Sequence, residues 1–154
     1  MQEALGTQPA VKQPPDDRIP WGWVVGTAIV LEVAMIISAV AWVAIYSYLI
    51  HPGEEPVYYE NYAKTASPIV SVVLGIPYWF FACRWVGRKA GTRAVAMCVW
   101  AWFILFVIDF SLILMAKMAK LGEVNWSIIA IAHATKLLAA YLGGRAALKR
   151  ATLL

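Results

Sequence analysis

Charge is scarce in this chain. Lys, Arg, Asp and Glu together make up 14% of its 154 residues, where a soluble domain carries roughly a quarter. With 62% of the residues hydrophobic, a single soluble core of this size cannot hide so much apolar side chain, and the excess has to face lipid. Cysteine and histidine are equally sparse, with two of each. Two cysteines cannot build a disulfide scaffold. His51 and His133 are too far apart along their spans to hold a haem between two imidazoles, since His133 lies ~13 Å deep by helical rise and His51 at a helix end. No HExxH, phosphate-binding loop, dinucleotide glycine fingerprint or GxSxG occurs, so no catalytic residue, metal ligand or cofactor is expected, and the chain does not read as an enzyme. A formal charge of +4 does not indicate nucleic-acid binding, because the basic residues are distributed as a topology signal.

What is present is long apolar runs. Trp21 to Ile50 is interrupted only by Glu32 and small hydroxyls, opened by Pro20 and closed by His51-Pro52-Gly53; this punctuation defines one helix of ~45 Å, longer than a hydrocarbon core of roughly 30 Å. Further spans are expected over about 68–87, with Ser67 as N-cap and a kink at Gly75 and Pro77, over 94–116 and over 124–144. The fold class is an all-α membrane protein, with four transmembrane helices in an antiparallel bundle over residues 20–150, joined by short links. Residues 1–19, with three prolines and scattered charges, read as a mobile cytoplasmic tail. Ala39-Val40-Ala41 has the spacing of a signal-peptide cleavage site, but Asp16 and Asp17 precede it and the apolar run continues beyond it, so cleavage is not expected.

Nine basic residues (Lys12, Arg18, Arg84, Arg88, Lys89, Arg93, Arg145, Lys149 and Arg150) fall on one side of this arrangement, against Lys64, Lys117 and Lys120 on the other. The bias puts both termini in the cytoplasm of a bacterial-type inner membrane. The lipid bilayer is the first partner, and Arg88, Lys89 and Arg93 are positioned to meet anionic headgroups. Tyr58, Tyr59 and Tyr62, in an interfacial helix or an outward extension of the second span, suit an aromatic belt, as do Trp21, Trp23, Trp85 and Trp126 near span ends. Trp42, Trp79, Trp100 and Trp102 lie deeper and are expected to pack inside. Cys83 and Cys98 read as apolar fillers.

Four ionisable residues fall within the spans: Glu32, Asp109, His133 and Lys136. Each charged one carries an insertion penalty of roughly 2.5 to 3.5 kcal/mol near a span centre, so partners are expected. Depth along the helices pairs Glu32 with Lys136, about 5 Å apart in level, and Asp109 with His133, about 3 Å apart. With His133 neutral the four sum to minus one, which suits exchange of a proton or cation; alternatively they neutralise one another and fix helix register. Small residues mark close-packing faces at Gly22 and Gly26 in the first span and at Ala140 and Gly144 in the fourth, suited to a homo-oligomer or to other membrane subunits.

Ala28-Ile29-Val30-Leu31-Glu32-Val33 resembles the first helix of the small multidrug resistance transporters, whose membrane glutamate binds protons and cationic drugs in turn. The resemblance covers these six residues and implies that Glu32 is the coupling carboxylate. The chain departs from that family in its added Asp109 and Lys136 and in its pronounced charge bias. The sequence thus points to a small membrane transport or accessory component; a purely structural subunit that binds other helices, or a membrane enzyme using the buried cluster, are the alternatives.

Overall fold

The computed structural model describes residues 19–119 and 125–151. Most of the expected tail, up to Arg18, and the third connection from Lys120 to Val124 lie outside the described residues. Among the described residues all regular structure is helical: α1 (Trp21–Ile45) continues into a π-helical turn (Tyr46–Ile50), and α2 (Pro56–Val86), two 3-10 turns, α3 (Ala94–Met118) and α4 (Trp126–Ala151) follow. Four segments, Trp21–Ile50, Pro56–Lys89, Gly91–Met118 and Trp126–Lys149, are long and apolar enough to cross a membrane, as a multi-pass membrane protein requires.

The first span ends where its punctuation said it would. Gly53 takes a φ of 91°, a backbone conformation that costs glycine little and other residues much. The second helix differs from the expectation. It begins at Pro56, which takes a first-turn position, and runs unbroken past Ser67 and Pro68, so Ser67 lies inside the helix instead of capping it. Of the two forms expected for the stretch before residue 68, an interfacial helix or an outward extension of the second span, the structure has the extension. Its tyrosines fasten the end of α1: Tyr62 stacks on Tyr46 with ring centroids 3.6 Å apart, Trp42 Nε1 donates to Tyr62 Oη at 2.9 Å, and the Tyr46 and Tyr58 hydroxyls lie 3.0 Å apart.

α4 packs against α2 and α3, and α1 packs against the same two helices, which sets α1 and α4 at opposite corners. The core gathers at one end of the four helices. Val24, Ala28 and Leu31 of α1 meet Trp79, Cys83 and Val86 of α2, Met97, Cys98, Ala101 and Leu105 of α3, and Ala139 and Ala140 of α4. Both cysteines are buried there, and the Cys98 thiol donates to the Cys83 carbonyl at 3.5 Å. Trp79 is buried and Trp102 partly so, but Trp42 and Trp100 are 42% and 43% exposed. These two stand on the outer surface, where lipid substitutes for protein contacts; Trp100 meets Trp21 edge-on at 5.6 Å.

Small residues explain how close α4 comes to its neighbours. A Cβ on Gly143 would lie 2.5 Å from the Phe80 carbonyl oxygen, and one on Gly144 would lie 2.9 Å from Val95 Cα. Ala140 is fully buried beside them. With no side chain in the way, the backbones approach to distances where dispersion and Cα–H···O contacts hold helices together in lipid. Gly22 and Gly26 stand differently: an added Cβ would meet nothing within 4 Å at either. They line an open groove with Trp23, Val30, Ala82, Trp85 and Val86, flanked by Lys89, whose ammonium sits 3.5 Å above the Trp23 ring.

Candidate functional site

The four intramembrane ionisable residues come from three helices and converge where the dry core ends. α1 contributes Glu32, one residue past the core residue Leu31; α3 contributes Asp109, one turn past Leu105; α4 contributes His133 and Lys136, one turn apart on a single face. Lys136 and His133 are buried, at 3% and 7% exposure. A charge this deep requires an opposite charge.

Asp109 supplies it. Its Oδ2 lies 3.6 Å from Lys136 Nζ and 3.6 Å from His133 Nε2, so one carboxylate serves both buried basic groups described in α4. The expectation that depth pairs Lys136 with Glu32 does not describe this arrangement. The Cα–Cβ bonds of a helix tilt toward its N-terminus, and the long Lys136 stem therefore reaches back along α4 toward the level of His133 and Asp109. His133 is held on its other sides by Phe106, whose ring meets it edge-on at 5.0 Å, and through its carbonyl, which accepts a bond from Trp102 Nε1 at 3.1 Å. Its Nδ1 is buried with no partner.

Glu32 has no basic group in ion-pair contact among the described residues. It lines a cavity of about 150 Å³ together with Met35, Ile36, Ala39, Ser67, Ser71, Asp109 and Lys136.

Three contributors from α2 are not evident from charge alone. Ser67 and Ser71, four residues apart, line the cavity. Gly75, one further turn along, makes room for the lysine: its missing Cβ would sit 3.2 Å from Lys136 Cε and 3.3 Å from Cγ. The spacing 67, 71, 75 is a small, polar stripe on one helical face, and that stripe was the signal available in the sequence; taken singly, Ser67 resembled a cap and Gly75 a kink.

The cluster holds two carboxyls, one ammonium and one imidazole in a small polar space at the edge of an apolar core. It can bind and release a proton, hold water, or lock the helices in register. No family model, curated protein or solved structure matches this chain, and the resemblance of residues 28–33 to the small multidrug resistance transporters therefore carries no family assignment.

Proposed function

We propose that this protein is a small multi-pass membrane transport or accessory component, without enzymatic activity, in which the Glu32, Asp109, His133 and Lys136 cluster exchanges a positive charge. The observation that carries this reading is the unequal sharing of the cations. Lys136 and His133 both lie against Asp109, and Glu32 shares a cavity with Asp109, Lys136 and two serines without an ion-pair contact of its own among the described residues. An ionisable residue inside a membrane marks a functional site by default, and Glu32 is the one of the four that makes no ion-pair contact among the described residues, the cation that shares its cavity being held by Asp109. The proposed topology runs the helices alternately across a bacterial-type inner membrane with both ends cytoplasmic. Contact of Trp23 with Trp85 at one end of α1 and of Trp42 with Tyr62 at the other supports the opposed course of the first pair, and the bias of basic residues supports the orientation.

In liposomes containing the purified protein and a trapped pH indicator, an imposed membrane potential is expected to drive proton movement that Glu32→Gln reduces to the level of empty vesicles, with the mutant's melting temperature unchanged. Equal flux in wild type and Glu32→Gln contradicts the reading.

The open groove at Gly22 and Gly26 favours a second reading, a subunit or scaffold that binds another transmembrane helix or a second copy of itself. An unfilled small-residue face is suited to a close backbone approach. Since a Cβ at Gly26 meets nothing within 4 Å and the open groove beside it has room for a larger side chain, Gly26→Leu is expected to leave the monomer folded and to abolish any dimer seen by cross-linking in membranes. A dimer of undiminished yield in Gly26→Leu counts against that face.

A further inference from the structure

We infer that the cavity beside Glu32 is a hydrated, proton-selective site, in which Ser67 and Ser71 hold the water that delivers the proton and Lys136 is a tethered cation that keeps metal ions out. The inference rests on the proposed exchange role of the cluster and names the ion it takes.

The first support is the two serines. Hydroxyls on membrane helices commonly bond back to the carbonyl one turn earlier, and Thr27, Ser38, Ser111 and Thr135 do so here. Among the described residues Ser67 and Ser71 make no hydrogen bond to the protein, and both line the cavity. A hydroxyl in a cavity lining with no protein partner is satisfied by water, and a cavity of about 150 Å³ that also holds two carboxyls and an ammonium has the polar partners and the room for a few molecules at about 30 Å³ each. Each hydroxyl both donates and accepts, so the pair can orient water toward the Glu32 carboxylate.

The second support is Lys136. It is 3% exposed, lines the same cavity and is anchored from two directions: its stem lies in the notch at Gly75 and its ammonium against Asp109. A sodium or potassium ion must exchange most of its water shell for several protein oxygens, while here Asp109 Oδ2 is already engaged by Lys136 and His133 and a metal ion in the cavity would share it with the Lys136 ammonium, a like charge that repels it. A proton needs one carboxylate oxygen. The groups facing Glu32 are Asp109 from α3 and Lys136 from α4, with His133 behind Asp109; α2 brings only the serine hydroxyls and Gly75. With His133 neutral the cluster carries minus one, and binding of one proton from the bulk solution, relayed through cavity water that is left unchanged, to the Glu32 carboxylate takes it to zero. The charge change is a single unit with no other group required to move.

The test is proton uptake by the purified full-length protein in detergent after a downward pH step, followed with an indicator dye in sodium, potassium or choline chloride of equal ionic strength. The difference between wild type and Glu32→Gln isolates the site. The expected result is one proton per chain in that difference, the same in all three salts, and a rate at least tenfold lower in the Ser67→Ala/Ser71→Ala double variant at unchanged melting temperature. Uptake that falls in sodium or potassium relative to choline overturns the proton selectivity while leaving the exchange role standing. An unchanged rate in the serine variant overturns the water-delivery role. No difference between wild type and folded Glu32→Gln overturns the proposed function, and the inference with it.

Discussion

Asp109→Asn is expected to destabilise the protein by about 3–5 kcal/mol, the range for removing one partner of a buried ion pair. Asp109 is the carboxylate in contact with both Lys136 and His133. Asparagine has nearly the same shape but no charge, and it leaves the Lys136 ammonium in an apolar bundle with no counter-ion in contact. The carboxamide retains an acceptor oxygen, so most of the loss is electrostatic rather than steric. Glu32→Gln is expected to do the reverse in sign or nothing, because it removes one of two facing carboxyls and no ion pair. Thermal unfolding in a mild detergent checks both: a large drop in midpoint for Asp109→Asn and at most a small change for Glu32→Gln. A drop of equal size in both means that Lys136 divides its charge between the two carboxylates.

The second large effect falls on the seam between α4 and α2. Gly143→Ala adds one methyl group, which would lie 2.5 Å from the Phe80 carbonyl oxygen, 2.9 Å from Cys83 Cβ and 3.2 Å from the Arg84 nitrogen. Two of these three atoms belong to a helix backbone and cannot rotate away. Alanine gains about 0.8–1 kcal/mol over glycine in a helix interior, but overpacking a filled interface loses about 1–3 kcal/mol and sometimes more. A clash with backbone belongs at the upper end, so the net change is destabilising. The expected outcome is loss of the monodisperse peak on size-exclusion chromatography, or a clearly lowered melting temperature. Gly26→Ala is the control, since the same methyl group there meets nothing and should leave the protein as stable or slightly more so.

These two predictions mark where the sequence was informative and where it was not. The spans were legible because lipid requires long apolar helices, and the four ionisable residues stood out because lipid penalises each of them. Which carboxylate meets Lys136 was not legible. Residue counting gives the depth of a Cα, but a lysine stem reaches several ångströms toward the N-terminal end of its own helix, further than the differences in level that were being compared. Azimuth is missing from such counting altogether, and it decides that His133 and Lys136 address the same atom of α3. Small-residue spacing has a similar limit. Gly22 and Gly26 have the more recognisable pattern, yet the close approach is made at Gly143 and Gly144, because spacing marks where backbones can meet and the partner surface decides where they do. For the N-terminal third of α2 the sequence left a separate interfacial helix and an outward extension of the span both open, because Ser67-Pro68 looks like a helix start; the helix that begins at Pro56 accepts a proline in its interior at the loss of one backbone bond.

Gly75 and the two serines connect these points to function. Gly75 lets the lysine lie flat against α2, and Ser67 and Ser71 leave the space above it polar. Together they allow a buried cation and a small wet cavity to share the edge of an otherwise dry core. A larger residue at any of the three positions fills space that the cluster uses.

The unequal roles of the two carboxylates are tested most directly by a pair of double-mutant cycles on unfolding free energy in detergent, one for Asp109→Asn with Lys136→Met and one for Glu32→Gln with Lys136→Met. Contacting residues show coupling of about 0.5–3 kcal/mol. The expected result is a value near the top of that range for Asp109 with Lys136 and a clearly smaller one for Glu32 with Lys136. Stronger coupling of Lys136 to Glu32 than to Asp109 would contradict it, restoring the neutral pair that depth alone suggests and removing the unmatched carboxyl on which the exchange of charge depends.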